Sequence, residues 1–168
     1  MSRFLADKGG VEGIPLKLII VMVIMAITIP ATFRGLESYD RFQTENNIRS
    51  ELDFLSANIK QVYLSGLGNA QDVEVDFKDG MMSKVEEIQI GDSEDGIWSA
   101  IRYKLSHKDT QILLIKNPNV PMGYEKRGEF HPLKLGAGKY TLHLECKEGP
   151  DFDSDDTKDM FVEVTQVD

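Results

Sequence analysis

Little in this sequence can cross-link, ligate a metal or react. It has one cysteine, Cys146, in 168 residues, so neither an intramolecular disulfide nor a cysteine-based zinc site can be built. No Asn-X-Ser/Thr sequon occurs, which closes that route to glycosylation. The three histidines, His107, His131 and His143, stand far apart without a paired spacing. There is no His-Glu-X-X-His, no Gly-X-Ser-X-Gly elbow and no phosphate-cradling glycine loop. Gly136-Ala137-Gly138 matches only the first half of a dinucleotide fingerprint and reads better as a hairpin turn. With no catalytic constellation, the chain is expected not to be an enzyme. Basic charge is also short: 28 acids face 19 bases, a formal charge of −9. The excess lies in residues 66–168, with 21 acids against 12 bases, whereas residues 1–65 balance seven against seven. Such a domain repels phosphate backbones, and nucleic acid is not expected as a partner.

Charge is missing altogether from sixteen consecutive residues, Leu18–Phe33. As a helix that run extends ~24 Å at ~1.5 Å per residue, slightly less than the ~30 Å of a bilayer's hydrocarbon. Ile14–Lys17 close the gap, with Lys17 snorkelling toward headgroups. Pro15 suits a first helical turn, and Pro30 is expected to bend the helix near its outer end. A chain of this size offers too little core to bury such a run, which therefore reads as a membrane span. Residues 1–10 form a leader. Glycines at 9, 10 and 13 are expected to hold the backbone extended, as a protease requires of its substrate. Ile27-Thr28-Ile29-Pro30-Ala31 fits a secretory cleavage site poorly, so the apolar segment, 11–33, is retained. Arg3 and Lys8, partly offset by Asp7 and Glu12, favour a cytoplasmic N-terminus and an extracellular head.

From residue 34 to 66 the pattern becomes amphipathic without an intervening turn. Apolar residues fall at Leu36, Tyr39 and Phe42, then at Ile48, Leu52, Leu55, Ile59 and Val62. The later spacing of four and three is an a/d seam. Two partners are open to it: the chain's own C-terminal domain, and other copies. A helix from Ile14 to Ser65 would be ~78 Å long, against a radius of gyration near ~13 Å for a 100-residue domain. The domain can cover only part of it. Gly66 and Gly68 then suit a left-handed C-cap.

Residues 67–168 read as short strands of period two: Gln71–Phe77, Val85–Ile90, Ile97–Leu105, Gln111–Lys116, Glu129–Leu135 broken by Pro132, Tyr140–Cys146 and Met160–Val167. Val85 is out of phase with Ile88 and Ile90, which implies a bulge. Asn117–Pro121, with two prolines, cannot be central strand. Seven or eight strands in ~100 residues argue an antiparallel sandwich of immunoglobulin-like outline. The fold class is thus α+β: a long helix, then an antiparallel β-sandwich head.

One cluster has ligating character. Asp151, Asp153, Asp155, Asp156 and Asp159 crowd the loop before the last strand and are calcium candidates, since Ca²⁺ takes six to eight oxygens. As an EF-hand the loop fails, with Asp156 where glycine and Val162 where glutamate would belong. The competing reading is a solvated acidic loop. No other cofactor is expected.

The plan of leader, retained apolar helix and strand-rich head resembles archaeal type IV pilin-like proteins with a class III signal peptide. The resemblance covers residues 8–70. Lys8-Gly9-Gly10 matches the family's processing site, which implies cutting by a prepilin peptidase after Gly9 or Gly10. Val62–Ala70 is similar to the family's helix-to-sheet junction. The implied function is a pilin-like lollipop subunit, inserted in the cell membrane and then assembled by pilus machinery into a homopolymeric cell-surface filament, adhesive in character. The implied assembly helix includes Glu12, Pro15, Leu18, Val21, Val23, Ile27, Pro30 and Phe33. Many pilins carry glutamate at the fifth mature position; here that position is Ile14 or Pro15, and Glu12 falls at the second or third. The alternative is a permanently membrane-tethered binding module with an immunoglobulin-like head, similar to archaellum stator or surface-layer-binding proteins. The processing claim predicts a native N-terminus at Gly10 or Val11 by intact-mass spectrometry. A terminus at Met1, or beyond Phe33, would contradict it.

Overall fold

The computed structural model describes residues 9–91, 98–150, 152 and 159–167, with side chains from Leu16 onward. Helix α1 spans Gly9–Ser65 without interruption, through Pro15, Pro30 and Gly35. It starts earlier than the glycines suggested: the backbone of Gly9 and Gly10 is helical rather than extended. Glycine lowers helix propensity without forbidding the conformation, and these two sit at the end of a long helix already nucleated downstream. At the other end Gly66 turns into the left-handed region at φ 88°. The Asn69 side-chain amide donates to the carbonyls of Ser65 and Gly66, at 2.6 and 3.1 Å. Contacts divide the chain into two units, Met1–Tyr39 and Asp40–Asp168.

The second unit holds nine strands: β1 Ala70–Phe77, β2 Val85–Ile90, β3 Ala100–Leu105, β4 Gln111–Leu114, β5 Met122–Lys126, β6 Glu129–His131, β7 Leu133–Leu135, β8 Gly138–Glu148 and β9 Met160–Val167. They form a five-stranded sheet in the order β1-β8-β9-β5-β6 and a four-stranded sheet in the order β4-β3-β2-β7. Register between β2 and β3 shifts between Val85 and Glu87, at the bulge the phase reversal implied. Pro132 divides the segment Glu129–Leu135 between the two sheets, β6 joining one and β7 the other.

The fully antiparallel expectation is corrected here. β5 runs parallel to β9, pairing Met122 with Val162 and Gly123 with Glu163. The chain reaches β5 by crossing between the sheets through residues 115–121, and such a crossover, unlike a hairpin, does not force antiparallel pairing. β5 itself escapes a reading by period because Met122-Gly123-Tyr124 follows two prolines and contains glycine. That glycine is required: a Cβ at Gly123 would stand 2.6 Å from the His131 carbonyl oxygen and 2.9 Å from the Phe130 ring.

Both sheets and the later turns of α1 share one core. Ile48, Leu52, Leu55, Ile59 and Val62 of the helix are 0–3% exposed. They pack in one cluster with Val73, Val75, Leu142 and Val164 of the larger sheet and Ile88, Ile101 and Leu105 of the smaller. The flanks of the helix are tied to a strand edge on one side and a turn on the other. On one flank Glu51 accepts the edge-strand N–H of Asp76 at 3.3 Å, and Gln71 donates to the Asn58 side chain at 3.0 Å. On the other, Glu45 pairs with Lys108 of the β3–β4 turn at 2.6 Å. Glu51 thus satisfies one N–H of edge strand β1. Truncating Leu52 or Ile59 to alanine should cost about 2–5 kcal/mol, read as a lower denaturant midpoint of the detergent-solubilised chain. Phe54→Ala, on the exposed side of the same helix, should change the midpoint little.

Candidate functional site

The uncovered surfaces of α1 are the feature that calls for a function. Twelve large apolar side chains between Leu16 and Phe33 are each 50–68% exposed. Leu18, Val21, Val23, Ile27 and Phe33 belong to this set, and eight of its members are consecutive, from Leu18 to Met25. An amphipathic helix would show a dry and a wet side; this one is apolar around its whole circumference. The helix is long and apolar enough to cross a membrane, and none of its most apolar stretch is buried. The polar groups it carries are partly satisfied internally: the Thr32 hydroxyl donates to the Thr28 carbonyl at 2.9 Å, which lowers the cost of an apolar surrounding. Of the sequence-derived processing and assembly residues, Lys8 lies outside the described residues, as do the side chains of Glu12 and Pro15.

The seam read from the sequence divides into two. Its later members, Ile48, Leu52, Leu55, Ile59 and Val62, are consumed by the core. Leu36, Tyr39 and Phe42 are 55–66% exposed and enter no described core. A second exposed set was not legible as a seam. On the side of α1 opposite Ile48–Val62, the helical angle places Asn46, Ser50, Asp53, Phe54, Ala57, Gln61 and Leu64 together, all exposed. Asp53 is their only charge. A solvated helix face normally carries more; the aromatic and amide side chains were visible in the sequence, but only the position of the core shows which way they point.

Within Asp40–Asp168 one side chain in the first turns of the helix gathers several backbone donors. The Asp40 carboxylate accepts the backbone N–H groups of Met81, Met82 and Ser83 at 2.7, 2.8 and 2.9 Å. Sequence gave no sign of this, because the partners are backbone donors forty residues away. Gly80 makes the approach possible, since a Cβ there would stand 2.2 Å from the Thr44 hydroxyl and under 3 Å from Asp40. The N–H groups of Met82 and Met81 hold the Asp40 carboxyl below the usual carboxylate range. Asp79 shifts the same way, chiefly through the N–H of Val85 at 2.9 Å.

The other candidate groups do not converge. His107 Nδ1 meets the Ser83 hydroxyl at 2.7 Å, but Ser83 is 1% exposed and cannot reach a substrate; the contact ties two turns together. His143 pairs with Asp72 at 2.6 Å, and His131 lies 3.7 Å from Glu129. Burial raises the Cys146 thiol above its ordinary pKa, which keeps it from acting as a thiolate. Among the described residues no three metal-ligating side chains cluster. Asp151, Asp153, Asp155 and Asp156 lie outside the described residues. Asp159 accepts the N–H of Phe152 through its carboxylate and that of Gly149 through its carbonyl, both at 2.8 Å, and so closes the base of the loop. No family model, no curated protein and no solved structure matches this chain.

Because Asp40 titrates lower folded than unfolded, its contribution to stability is complete above the unfolded value of ~3.9 and is lost as pH falls through the folded value. Asp40→Asn should therefore lower the thermal midpoint at neutral pH. The gap from the unsubstituted chain should narrow as pH falls below the unfolded value, measured as midpoint against pH. Asp79, shifted in the same direction, contributes to the acid slope that remains.

Proposed function

We propose that this chain is a structural subunit of an archaeal type IV pilus-like cell-surface filament. The observation that carries the reading is the uniform exposure of Leu16–Phe33 on a helix whose later turns root in a β-rich domain. Such a surface suits two surroundings, lipid before assembly and copies of itself after it. In the second, close van der Waals packing must compensate for leaving lipid. On this reading a prepilin peptidase trims the chain at Gly9 or Gly10, and the head is a β-sandwich displayed outside the cell. The exposed Leu36, Tyr39, Phe42, Phe54 and Leu64 extend the packing surface along the helix. The chain is then not an enzyme; its chemistry is assembly.

A second reading is a permanently tethered binding module with an immunoglobulin-like head. The helical backbone at Gly9 and Gly10 favours it, because a helix withholds its peptide bonds from a protease.

Imaging cells with and without the gene separates the two. The first predicts that a class of surface filament disappears with the gene and that the protein is found along the shaft of that filament. Filaments that persist without it, detached or unpowered, would overturn the first reading in favour of the second.

A further inference from the structure

The loop between β1 and β2 joins two unlike properties. Its backbone donors are saturated, since every N–H from Gly80 to Val85 has a partner. Gly80 donates to the Ser83 carbonyl at 2.8 Å, and Met81, Met82 and Ser83 donate to Asp40. Lys84 donates to the Ser106 hydroxyl at 3.0 Å and Val85 to Asp79 at 2.9 Å. The side chains are the reverse. Met81 is 86% exposed, more than any other large apolar side chain among the described residues, and Met82 is 44% exposed.

Other turns of the head offer no parallel: 106–110, 127–128 and 136–137 hold no large apolar side chain, as is usual for turns in water. The place where this loop is tied gives its methionines a meaning. Asp40 stands seven residues beyond Phe33, the end of the uncharged run, and seven residues of helix rise ~10 Å. Outside the hydrocarbon, each headgroup layer of a bilayer is ~5–8 Å deep. The link is short enough to bring the loop to the lipid surface.

We infer that Met81 and Met82 insert into the headgroup–acyl boundary of the membrane that the apolar helix enters. Lipid is the occupant because of that short link, and because a loop with no N–H left unpaired escapes the main cost of an apolar surrounding. Thioether side chains are flexible and polarisable, and adapt to such a boundary. The Asp40 clamp already orders the loop, so docking loses little further conformational freedom. Charge is not the attraction. Lys78 pairs with Asp76 at 2.8 Å and Lys84 with Asp79 at 3.3 Å, so docking depends little on the charge of the headgroups. The contact rests the head on the bilayer before assembly and is released when the subunit leaves it. The inference rests on the reading of Leu16–Phe33 as a membrane span, but concerns the head rather than the helix.

The test places the full chain in phosphatidylcholine vesicles that carry a lipid-borne quencher, with a fluorophore on Ala137→Cys. Ala137 is exposed and lies next to the Phe77–Gly138 pair, from which the loop departs; Cys146 is buried and does not take the label. A label on Leu67→Cys, 57% exposed beyond the far end of α1, is the control. Quenching should be severalfold stronger at 137 than at 67. Met81→Ser with Met82→Ser, which leaves the backbone donors to Asp40 in place, should lower the ratio of docked to undocked heads about tenfold. Met81→Leu with Met82→Leu should keep it, and added phosphatidylglycerol should change it little. Equal quenching at both positions, or an equal response of the serine and leucine pairs, overturns the inference. So does a label at 137 that is shielded only as protein density in the vesicle rises, which assigns the two methionines to a second copy. A chain that does not enter the vesicles overturns the span reading and this inference with it; a chain that enters and is quenched equally at both positions overturns this inference alone.

Discussion

Apolar surface that its own chain does not cover must be covered by something else, and this requirement governs the molecule. Burying one large aliphatic side chain is worth about 1.5–3 kcal/mol, so covering a dozen is worth tens of kcal/mol. The twelve exposed side chains from Leu16 to Phe33 make the helix compatible with a membrane. Lipid satisfies the requirement, and so do copies of the same helix.

The rest of the chain can be read as fitting one helix to two solvents. Past residue 44 the helix belongs to a folded core, with Ile48, Leu52, Leu55, Ile59 and Val62 sealed among strands of both sheets. Glu51 satisfies an N–H of edge strand β1. Where the helix enters the domain, Asp40 gathers three backbone N–H groups of the β1–β2 loop.

Much of this was legible in the sequence, for identifiable reasons. The uncharged run announces itself by composition, the helix stop by paired glycines, and the period-two strands by alternation, including the bulge at Val85. The seam was legible as a seam, but its division was not, because Phe42 and Ile48 look equally apolar until the extent of the head is known. β5 was hidden by the prolines before it and the glycine within it, whose role depends on the approach of Phe130 and His131. Its parallel pairing with β9 depends on a crossover that leaves no local trace. The Asp40 clamp was invisible for a related reason: backbone donors have no sequence signature.

The central claim is that copies of this chain cover one another's Leu16–Phe33 surface. A cysteine placed at Ile24 tests it directly, since Cys146 is buried and the introduced thiol is then the accessible one. Oxidation of filaments sheared from the cell surface should yield cross-linked dimers through position 24, and the same substitution at Asp72, on the head, should not reproduce that product. Monomer alone at position 24, with the chain remaining in the membrane fraction, would contradict the account.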